Sequence, residues 1–337
     1  MISAIRFFDW GMTLFVLLLL LTGLRAPIAR ADYASEVLAS GPEAYWRFED
    51  GAVGAILNGV AAPDASGNNH HGTYMHAGSD GPQMVAGATG VGGTAAHFVG
   101  TSSTVGDLIR FTPLGDVGSN IDNNGLTFEF LLKNPEPSTV SNRIFGLNND
   151  RPVGGAAGRR LTMSFGFSDL DLNGVDGNED AIFLRDDTDD TAWAYATNLG
   201  GVDIEDGSWH HVAWVIDPGV PTDGTRFYVG GVLVPLVAPT EGLFTPKNVS
   251  DFSNFDKDFT LGGEHLNTSP PGTAPTGNFR TFARNSMVDE FAVYSKALTA
   301  IEIRQHAAAA GLAIPEPSAF VLIGLAVAAL WMKSRKK

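Results

Sequence analysis

The sequence is divided into many short runs of β-forming residues, and this feature restricts the possible folds more than any other. Val, Phe, Ile and Thr dominate the runs, whereas Gly, Asp, Asn and Pro separate them. The chain contains 40 glycines and 18 prolines, so turn signals recur at short intervals. In one run, Leu126, Phe128 and Phe130 alternate with Thr127 and Glu129, which is typical of a strand buried on one face.

Many short strands with few helical patterns predict an all-β protein, specifically a β-sandwich of the jelly-roll type. Neither an internal repeat nor a linker is visible within this pattern, so a single domain at residues 32–313 is the simplest organisation. The predicted strands are Ala44–Glu49, Ala95–Val99, Leu108–Phe111, Leu126–Lys133, Arg143–Leu147, Leu161–Phe167, Ala181–Arg185, Ala192–Thr197, Trp209–Ile216, Arg226–Val229, Val232–Leu236, Phe259–Gly262 and Ser286–Val293.

One helix is well signalled, near the end of the domain. Thr299 and Glu302 have the spacing of a capping box, and Gly311 marks the end of the helix. Ile301 and Ile303 are expected to begin its apolar contacts.

The first 31 residues have the pattern of a secretory signal peptide. Arg6 precedes an apolar run from Trp10 to Leu24, and the small-residue site Ala29-Arg30-Ala31 follows. Cleavage is expected after Ala31. An uncleaved N-terminal anchor remains the alternative, although the apolar run is short for a full membrane span.

Residues 314–337 have a second pattern typical of targeting. Pro315-Glu316-Pro317 precedes an apolar segment, Ala319–Met332, which is shorter than the roughly 20 residues of an average transmembrane helix. Trp331 suits a membrane interface, and the basic end favours the cytoplasmic side. A helix packed on the domain is the alternative, but the segment lacks the polar face that such a helix would have.

This arrangement resembles the PEP-CTERM sorting signal of Gram-negative bacteria. The resemblance implies that Pro315, Glu316 and Pro317 form a motif recognised by an exosortase-type membrane protease. It also implies export through the inner membrane, transient anchoring there by the short transmembrane helix, and delivery to the cell surface or extracellular matrix.

The net charge restricts the possible binding partners, and the cysteine content restricts how the domain can be stabilised. The formal net charge is −15, and the basic residues near the two ends make the middle of the chain more acidic still. Such a surface repels phosphate backbones, so nucleic acid is not an expected partner. The chain contains no cysteine, so an exported domain must rely on a large core or on bound metal.

Eight segments follow one another in a recognisable order along the chain. They are AYWRFED (44–50), DASGNNHHGTYMHAG (64–78), AAHFVG (95–100), LTFEFLLKN (126–134), GSWHHVAWVID (207–217), RFYVGGVLV (226–234), FTLGG (259–263) and VDEFAVYSKALTAIEIRQHAA (288–308). In this order they resemble a laminin-G-like domain of the concanavalin A-like lectin/glucanase superfamily. This resemblance implies a concanavalin A-like jelly-roll β-sandwich over most of residues 42–309. The same superfamily includes lectins, adhesion modules and enzyme appendages, so the fold alone does not define a function.

Catalytic motifs are absent from the sequence, so an enzyme is not expected. No E-x-D-x-x-E triplet of the type found in glucanases of this fold occurs, and neither do G-x-S-x-G, H-E-x-x-H or Walker motifs. Asp289 and Glu290 are adjacent, so regular strand alternation predicts that they face opposite sides. The same alternation separates His210 from His211, and these histidines are interpreted as structural.

The segment DLDLNGVDGNED at residues 169–180 is a candidate calcium loop. Asp169, Asp171, Asn173 and Asp180 stand at positions one, three, five and twelve, with Gly174 at six, as in an EF-hand loop. Asp at position twelve and flanks typical of strands depart from that motif. A solvated acidic turn is the alternative.

The resemblance to laminin-G-like domains implies a second, structural calcium site, at Asp64 and Asp289. For sugar binding, the candidates are Trp193 and Tyr195, which lie two apart on one predicted strand and could stack on pyranose rings. Burial of these aromatic residues between the sheets is the alternative.

Three functions remain open from the sequence. The leading hypothesis is a non-catalytic surface or matrix protein that binds a glycan or a surface protein, with calcium as a structural cofactor. The second is a glycoside hydrolase or lyase of the same fold with an altered active site. The third is a purely structural component of extracellular polymer.

Overall fold

The computed structural model describes most of the central domain. From Tyr33 onward the described residues belong to one compact unit. For strands in the middle of the chain, between residues 142 and 196, only the backbone is described. The described residues are 32–77, 81–99, 106–111, 124–134, 142–148, 160–165, 182–186, 191–196, 204, 206–217, 225–234, 259–265, 279–281 and 285–313.

Strands dominate the described residues. The two helices among them are α1 (Tyr33–Ala39) and α2 (Ala300–Ala309). The strands are β1 (Ala44–Trp46), β2 (Ala61–Ala62), β3 (Gly72–Ala77), β4 (Gln83–Ala86), β5 (Thr94–Phe98), β6 (Gly106–Phe111), β7 (Leu126–Lys133), β8 (Asn142–Asn148), β9 (Arg160–Phe165), β10 (Ile182–Asp186), β11 (Thr191–Ala196), β12 (Trp209–Ile216), β13 (Thr225–Val229), β14 (Val232–Val234), β15 (Phe259–Leu261), β16 (Gly263–His265), β17 (Phe279–Thr281) and β18 (Ser286–Tyr294).

Two large antiparallel sheets form the domain. Sheet A has the order β14-β13-β12-β7-β18-β5-β4, and β1 also pairs with β18. Sheet B has the order β11-β10-β9-β8-β15-β6-β3-β2, and β16 pairs with β17 apart from both. The prediction of an all-β sandwich is confirmed.

An aromatic core fills the space between the two sheets. Trp46 of sheet A packs against Phe111 and Phe259 of sheet B, with ring centroids 3.8 Å and 5.8 Å apart. Phe130 and Phe291 stack within sheet A at 5.2 Å. Large aromatic side chains bury much apolar area, which stabilises a domain without disulfides.

A second apolar cluster lies on the other face of sheet A, beneath the two helices. In β12, Val212, Trp214 and Ile216 belong to the inner core, whereas Ala213 and Val215 belong to this outer cluster. Period-two alternation therefore holds in β12, but both faces are buried.

We call α1 and α2 the helical cap. Tyr33 and Val37 of α1 and Ile303 of α2 are all buried in the outer cluster. The cap converts the two-layered sandwich into three layers: sheet B, sheet A and helices.

Helix α2 begins as the sequence predicts. The Thr299 side chain accepts a hydrogen bond from Glu302 N, and the Glu302 side chain accepts one from the Thr299 backbone, which confirms the capping box. Ile303 is buried as expected, but Ile301 is 67% exposed, so its expected packing role is wrong.

The predicted ends of the chain stay predictions. The signal peptide at residues 1–31 and the sorting segment at 314–337, including Pro315, Glu316 and Pro317, lie outside the described residues. Among the residues that the structure does describe, neither helix is long and apolar enough to cross a membrane.

Candidate functional site

A β-bulge in β18 places two acidic residues together. The pairing of β18 with β7 shifts register between Asp289 and Ala292. Val288 and Phe291 both belong to the inner core, so the two residues between them, Asp289 and Glu290, lie on the outer side of sheet A. The expectation that these acids face opposite sides is wrong, because it assumed unbroken alternation.

Glu290 occupies an unusual backbone conformation at this bulge. Its φ is 53°, in the left-handed region that residues with a side chain rarely adopt. Such a conformation is strained, and surrounding contacts must hold it in place.

Asp289 is fully buried, and only one of its two carboxyl oxygens has a hydrogen-bond partner. Its Oδ2 accepts a hydrogen bond from Ala88 N at 3.0 Å, whereas its Oδ1 is buried without a hydrogen-bond partner. Burial and then the negative charge of Glu290 raise the pKa of Asp289 well above its usual value. An unsatisfied carboxyl oxygen in this position favours either a proton or a cation.

Glu290 has donors that Asp289 lacks. The Tyr45 hydroxyl donates to Glu290 Oε2, and Arg47 Nη2 lies 3.2 Å from Glu290 Oε1. Burial raises the pKa of Glu290 more than Tyr45 and Arg47 lower it. The Arg47 side chain is 36% exposed, so this acidic cluster reaches the surface there.

A glycine-rich loop, residues 87–93, packs directly against two carboxylates. Gly87 N donates to Gly93 O at 3.0 Å, which closes the loop. A Cβ at Gly87 would lie 2.9 Å from Asp289 Oδ2, and one at Gly93 would collide with the Glu49 carboxylate. Only glycine permits this close approach of backbone to acid.

The unpartnered Oδ1 of Asp289 is the one feature here that bears on the calcium ion predicted at Asp64 and Asp289. Calcium takes six to eight oxygen ligands, including carboxylates and backbone carbonyls. Asp289 and Glu49 would supply carboxylate oxygens. Across the described residues no group of three or more His, Asp or Glu side chains is arranged to hold a metal ion, so backbone carbonyls would have to complete the shell.

Asp64, the other aspartate of this predicted site, has separate partners. Its oxygens accept hydrogen bonds from Tyr45 N, Ser66 N, Ser66 Oγ and His70 N at 2.7–3.0 Å. Burial raises the pKa of Asp64, but these hydrogen bonds outweigh it and hold the pKa below its usual value. The carboxylate thus organises the turn that follows it, as an Asx turn does.

The structure does not describe the remaining metal-binding candidates. Asp169, Asp171, Asn173 and Asp180 lie outside the described residues, so the calcium loop stays a prediction.

The two aromatic candidates lie on β11, which ends the order of sheet B. Tyr195 pairs with Phe183, and a register shift leaves Trp193 without a residue opposite on β10. Their side chains lie outside what the structure describes, so sugar stacking stays a prediction.

A second buried cluster lies beneath the helical cap and centres on Glu129 of β7. Glu129 Oε1 is 2.6 Å from His211 Nε2, and Glu129 Oε2 is 2.9 Å from His306 Nδ1. The Tyr294 hydroxyl donates to Glu129 Oε2 at 3.0 Å. The carboxylate therefore has three protein donors although it is fully buried.

These donors reverse the usual effect of burial. Burial raises the pKa of Glu129, but the charge of His306 and the hydrogen bonds from His211 and His306 lower it to about 2. Conversely, burial lowers the pKa of His306, but Glu129 raises it above its usual value. A carboxylate–imidazolium pair is the expected state near neutral pH.

The Glu129 cluster was not predicted from the sequence, although weak signals were present. His306 follows Ile303 by three residues and so shares the buried face of α2. His211 and Glu129 alternate with inward-facing residues of their strands. Recognising them required knowing that helices cover this face of the sheet.

The chain matches the family model Laminin_G_3, described as the concanavalin A-like lectin/glucanases superfamily, over residues 113–304. None of the curated proteins compared with the sequence matches it.

Solved structures with a similar course of the chain include domain 4 of AbnA, a GH43 extracellular arabinanase from Geobacillus stearothermophilus, in complex with arabinotriose. It is 19% identical with a TM-score of 0.42, and the match covers 79% of this chain and 98% of that one. The botulinum neurotoxin serotype C1 binding domain is 13% identical with a TM-score of 0.49, at 81% and 53% coverage. The botulinum neurotoxin DC binding domain in complex with SialylT is 13% identical with a TM-score of 0.44, at 78% and 52% coverage.

The chain thus spans about half the length of these toxin binding domains. Since the family model covers more than half of the sequence and the two sheets form the expected sandwich, the chain belongs to the concanavalin A-like lectin/glucanases superfamily.

Proposed function

We propose that this protein is an exported, non-catalytic binding protein of the cell surface or extracellular matrix, whose ligand is a glycan or a surface protein. The observation that carries the proposal is the burial of three clustered acids on the sheet that the helices cover. Glu129, Asp289 and Glu290 are each 0% exposed and contact other parts of the domain. A carboxyl group that acts on a polysaccharide must reach the scissile bond, and these three do not reach the surface.

Delivery depends on the two targeting segments. In this proposal the signal peptide directs export, and Pro315, Glu316 and Pro317 are recognised by an exosortase-type protease in the inner membrane of a Gram-negative bacterium. The short apolar helix holds the precursor in that membrane transiently.

Calcium acts as a structural cofactor in this proposal, bound by Asp289 and Glu49 with carbonyls of the glycine-rich loop. The unpartnered Oδ1 of Asp289 supports this site. The predicted loop with Asp169, Asp171, Asn173 and Asp180 would be a second site. Because bound ligand stabilises the folded state, calcium should raise the melting temperature of protein first treated with EDTA.

One variant tests the predicted loop, and a second is a control outside the proposed calcium sites. We expect Asp171→Asn to remove only the part of the rise that the loop provides. Asp64→Asn should lower the melting temperature equally with and without calcium, because Asp64 bonds to its own turn. An unchanged melting temperature on calcium addition would remove calcium from the proposal.

The ligand is tested with a glycan array and a panel of insoluble polysaccharides. Trp193→Ala should abolish glycan binding if the ring stacks on sugar, and Trp193→Phe should retain part of it because Phe keeps an aromatic face. If the protein shortened a polysaccharide in the panel, and mutation of one acid abolished this cleavage, the proposed function would become that of a glycoside hydrolase or lyase. Neither binding nor cleavage, for glycans and surface proteins alike, would favour the structural polymer component.

Sorting is tested separately in cells of a Gram-negative host that has an exosortase. Replacing Pro315, Glu316 and Pro317 with Ala should leave an unprocessed precursor in the inner membrane, whereas Ser318→Ala should be processed normally. Normal processing of the triple variant would refute the sorting signal without affecting the binding proposal.

A further inference from the structure

A buried polar cluster around Glu129 joins both helices of the helical cap to sheet A. His306 of α2 contacts Glu129 of β7, and His306 Nε2 lies 2.9 Å from Ser40 Oγ, directly after α1. The ring of Tyr33 in α1 lies edge-on to His306 and His211, with centroids 6.5 Å and 6.3 Å apart. The remaining contacts of the helical cap are largely apolar and include the buried side chains of Tyr33, Val37 and Ile303.

His306 is placed to carry a proton on both ring nitrogens. Nδ1 faces the Glu129 carboxylate, which only accepts, and Nε2 faces the Ser40 hydroxyl, which can also accept. An imidazolium at this position donates both hydrogen bonds. It also balances the negative charge of Glu129, which would otherwise be a buried and uncompensated carboxylate.

Other groups around the cluster do not supply a replacement positive charge. Among the described residues, the titratable groups acting on Glu129, His306 or the tyrosines beside them come from every element packed there. From α1 these are Tyr33 and Glu36, from α2 Glu302, from β1 Tyr45, from β12 His211, and from β18 Tyr294 and Glu290. Apart from the second imidazole, all of these are acids or phenols. The nearby cations act elsewhere: Arg47 on Tyr45 and Glu290, Lys296 on Glu302, and Arg304 on Tyr228.

We propose that the helical cap is a pH-dependent latch, closed on sheet A by the Glu129–His306 ion pair and loosened in alkaline solution while the sandwich stays folded. Loss of the His306 proton leaves Glu129 negative and buried beside a neutral His306 ring, with His211 and Tyr294 as its other hydrogen-bond partners. The cap then loses its charged connection to the sheet, whereas the strand ladders do not depend on it.

The direction of the pH effect follows from His306. Its pKa in the folded protein is raised above the usual 6.5. The stability that it contributes is therefore complete below pH 6.5 and is lost as the pH rises through the folded-state pKa. At the acid end, Glu129 loses its contribution as the pH falls from about 4.5 towards 2.

Hydrogen–deuterium exchange of the full chain tests the latch. We expect protection factors, corrected for the intrinsic effect of pH, to fall at least tenfold in Tyr33–Ala39 and Ala300–Ala309 between pH 6 and pH 9. Central strands Leu126–Lys133 and Trp209–Ile216 should change less than twofold. The His306→Gln variant should show low cap protection at both pH values, whereas His210→Gln, on the opposite face of β12, should behave as the wild type.

Constant cap protection in the wild type would overturn the proposal, as would a tenfold fall that persists in His306→Gln. Equal loss of protection in cap and central strands would mean global unfolding and would also overturn it. If His306→Gln does not fold, NMR of histidine-labelled wild-type protein replaces it. His306 must then titrate over the pH range in which the cap loses protection.

Discussion

Glu129 and Asp289 are two buried carboxylates in very different situations. They lie on neighbouring strands, β7 and β18, and both belong to the outer side of sheet A. Both are 0% exposed. Yet the pKa of Glu129 is lowered to about 2, whereas that of Asp289 is raised well above its usual value.

The difference comes from the donors around each acid rather than from depth. Glu129 has two imidazoles and a phenol directed at it, so its charge is compensated inside the protein. Around Asp289, backbone N–H groups lower the pKa, but burial and the negative charge of Glu290 raise it by more. The charge of Glu129 is thus compensated by protein groups, whereas Asp289 has no cation to balance it among its described contacts.

The largest effect is expected from removing Glu129. Glu129→Ala leaves the His306 imidazolium buried without its counter-charge, which should lower the free energy of unfolding by about 3–5 kcal/mol. Urea unfolding at pH 6 measures this loss. Glu36→Ala, a half-exposed acid on α1, is the control and should change stability by about 0.5 kcal/mol or less. Equal effects of the two variants would contradict the assigned role of Glu129.

Tyr294 and Tyr45 each donate a hydrogen bond to a buried glutamate, so their Phe variants can be compared directly. Tyr294→Phe removes a donor from the ionised Glu129 and should cost about 1.5–3 kcal/mol, as for hydrogen bonds to charged groups. Tyr45→Phe removes a donor from Glu290, which retains Arg47 and whose pKa is raised, so a smaller loss is expected. The same unfolding measurement ranks them, and a larger loss for Tyr45→Phe would reverse the comparison.

In metal-free protein, Asp289→Asn should raise the free energy of unfolding, whereas the variants above lower it. Because the pKa of Asp289 is raised on folding, ionised Asp289 increasingly destabilises the protein as the pH rises above about 3.8. The variant should therefore equal the wild type near pH 4 and be more stable than the wild type at pH 8.

Urea unfolding in EDTA at the two pH values measures this difference. Added calcium should then stabilise the wild type more than Asp289→Asn, which retains only the predicted loop with Asp169, Asp171, Asn173 and Asp180. A variant that is less stable than the wild type at pH 8 in EDTA would show that the charge of Asp289 is already compensated.

These two sites also show what a sequence can and cannot predict. The sandwich was predictable because short strands and turn residues are local signals, and the start of α2 was predictable from Thr299 and Glu302. The bulge at Asp289 was not, since an extra residue in β18 is decided by how two sheets and a loop meet.

The alternation of Leu126 and Phe128 with Thr127 predicted that strand β7 is buried on one face only. Strand β7 is instead buried on both faces, because the helical cap covers its polar side. Helix α1 was not predicted, and without it nothing indicates that Thr127 and Glu129 face away from water. Ile301 illustrates the same limit: its apolar side chain suggested packing, but the orientation of α2 places it in solvent. Burial of polar side chains depends on tertiary contacts that a local pattern does not contain.

The smallest effect is expected at the edge of the Glu129 cluster. Ser40→Ala removes the acceptor from His306 Nε2 but leaves the contact between His306 and Glu129 intact, so a loss of about 0.5–1.5 kcal/mol is expected. Ser35→Ala, an exposed position on α1, is the matched control for serine-to-alanine changes in this helix. If Ser40→Ala lowered the free energy of unfolding as much as Glu129→Ala, the contact between the two cap helices would matter as much as the ion pair between the cap and sheet A. The contrast between Glu129 and Asp289 would then no longer be a contrast within sheet A.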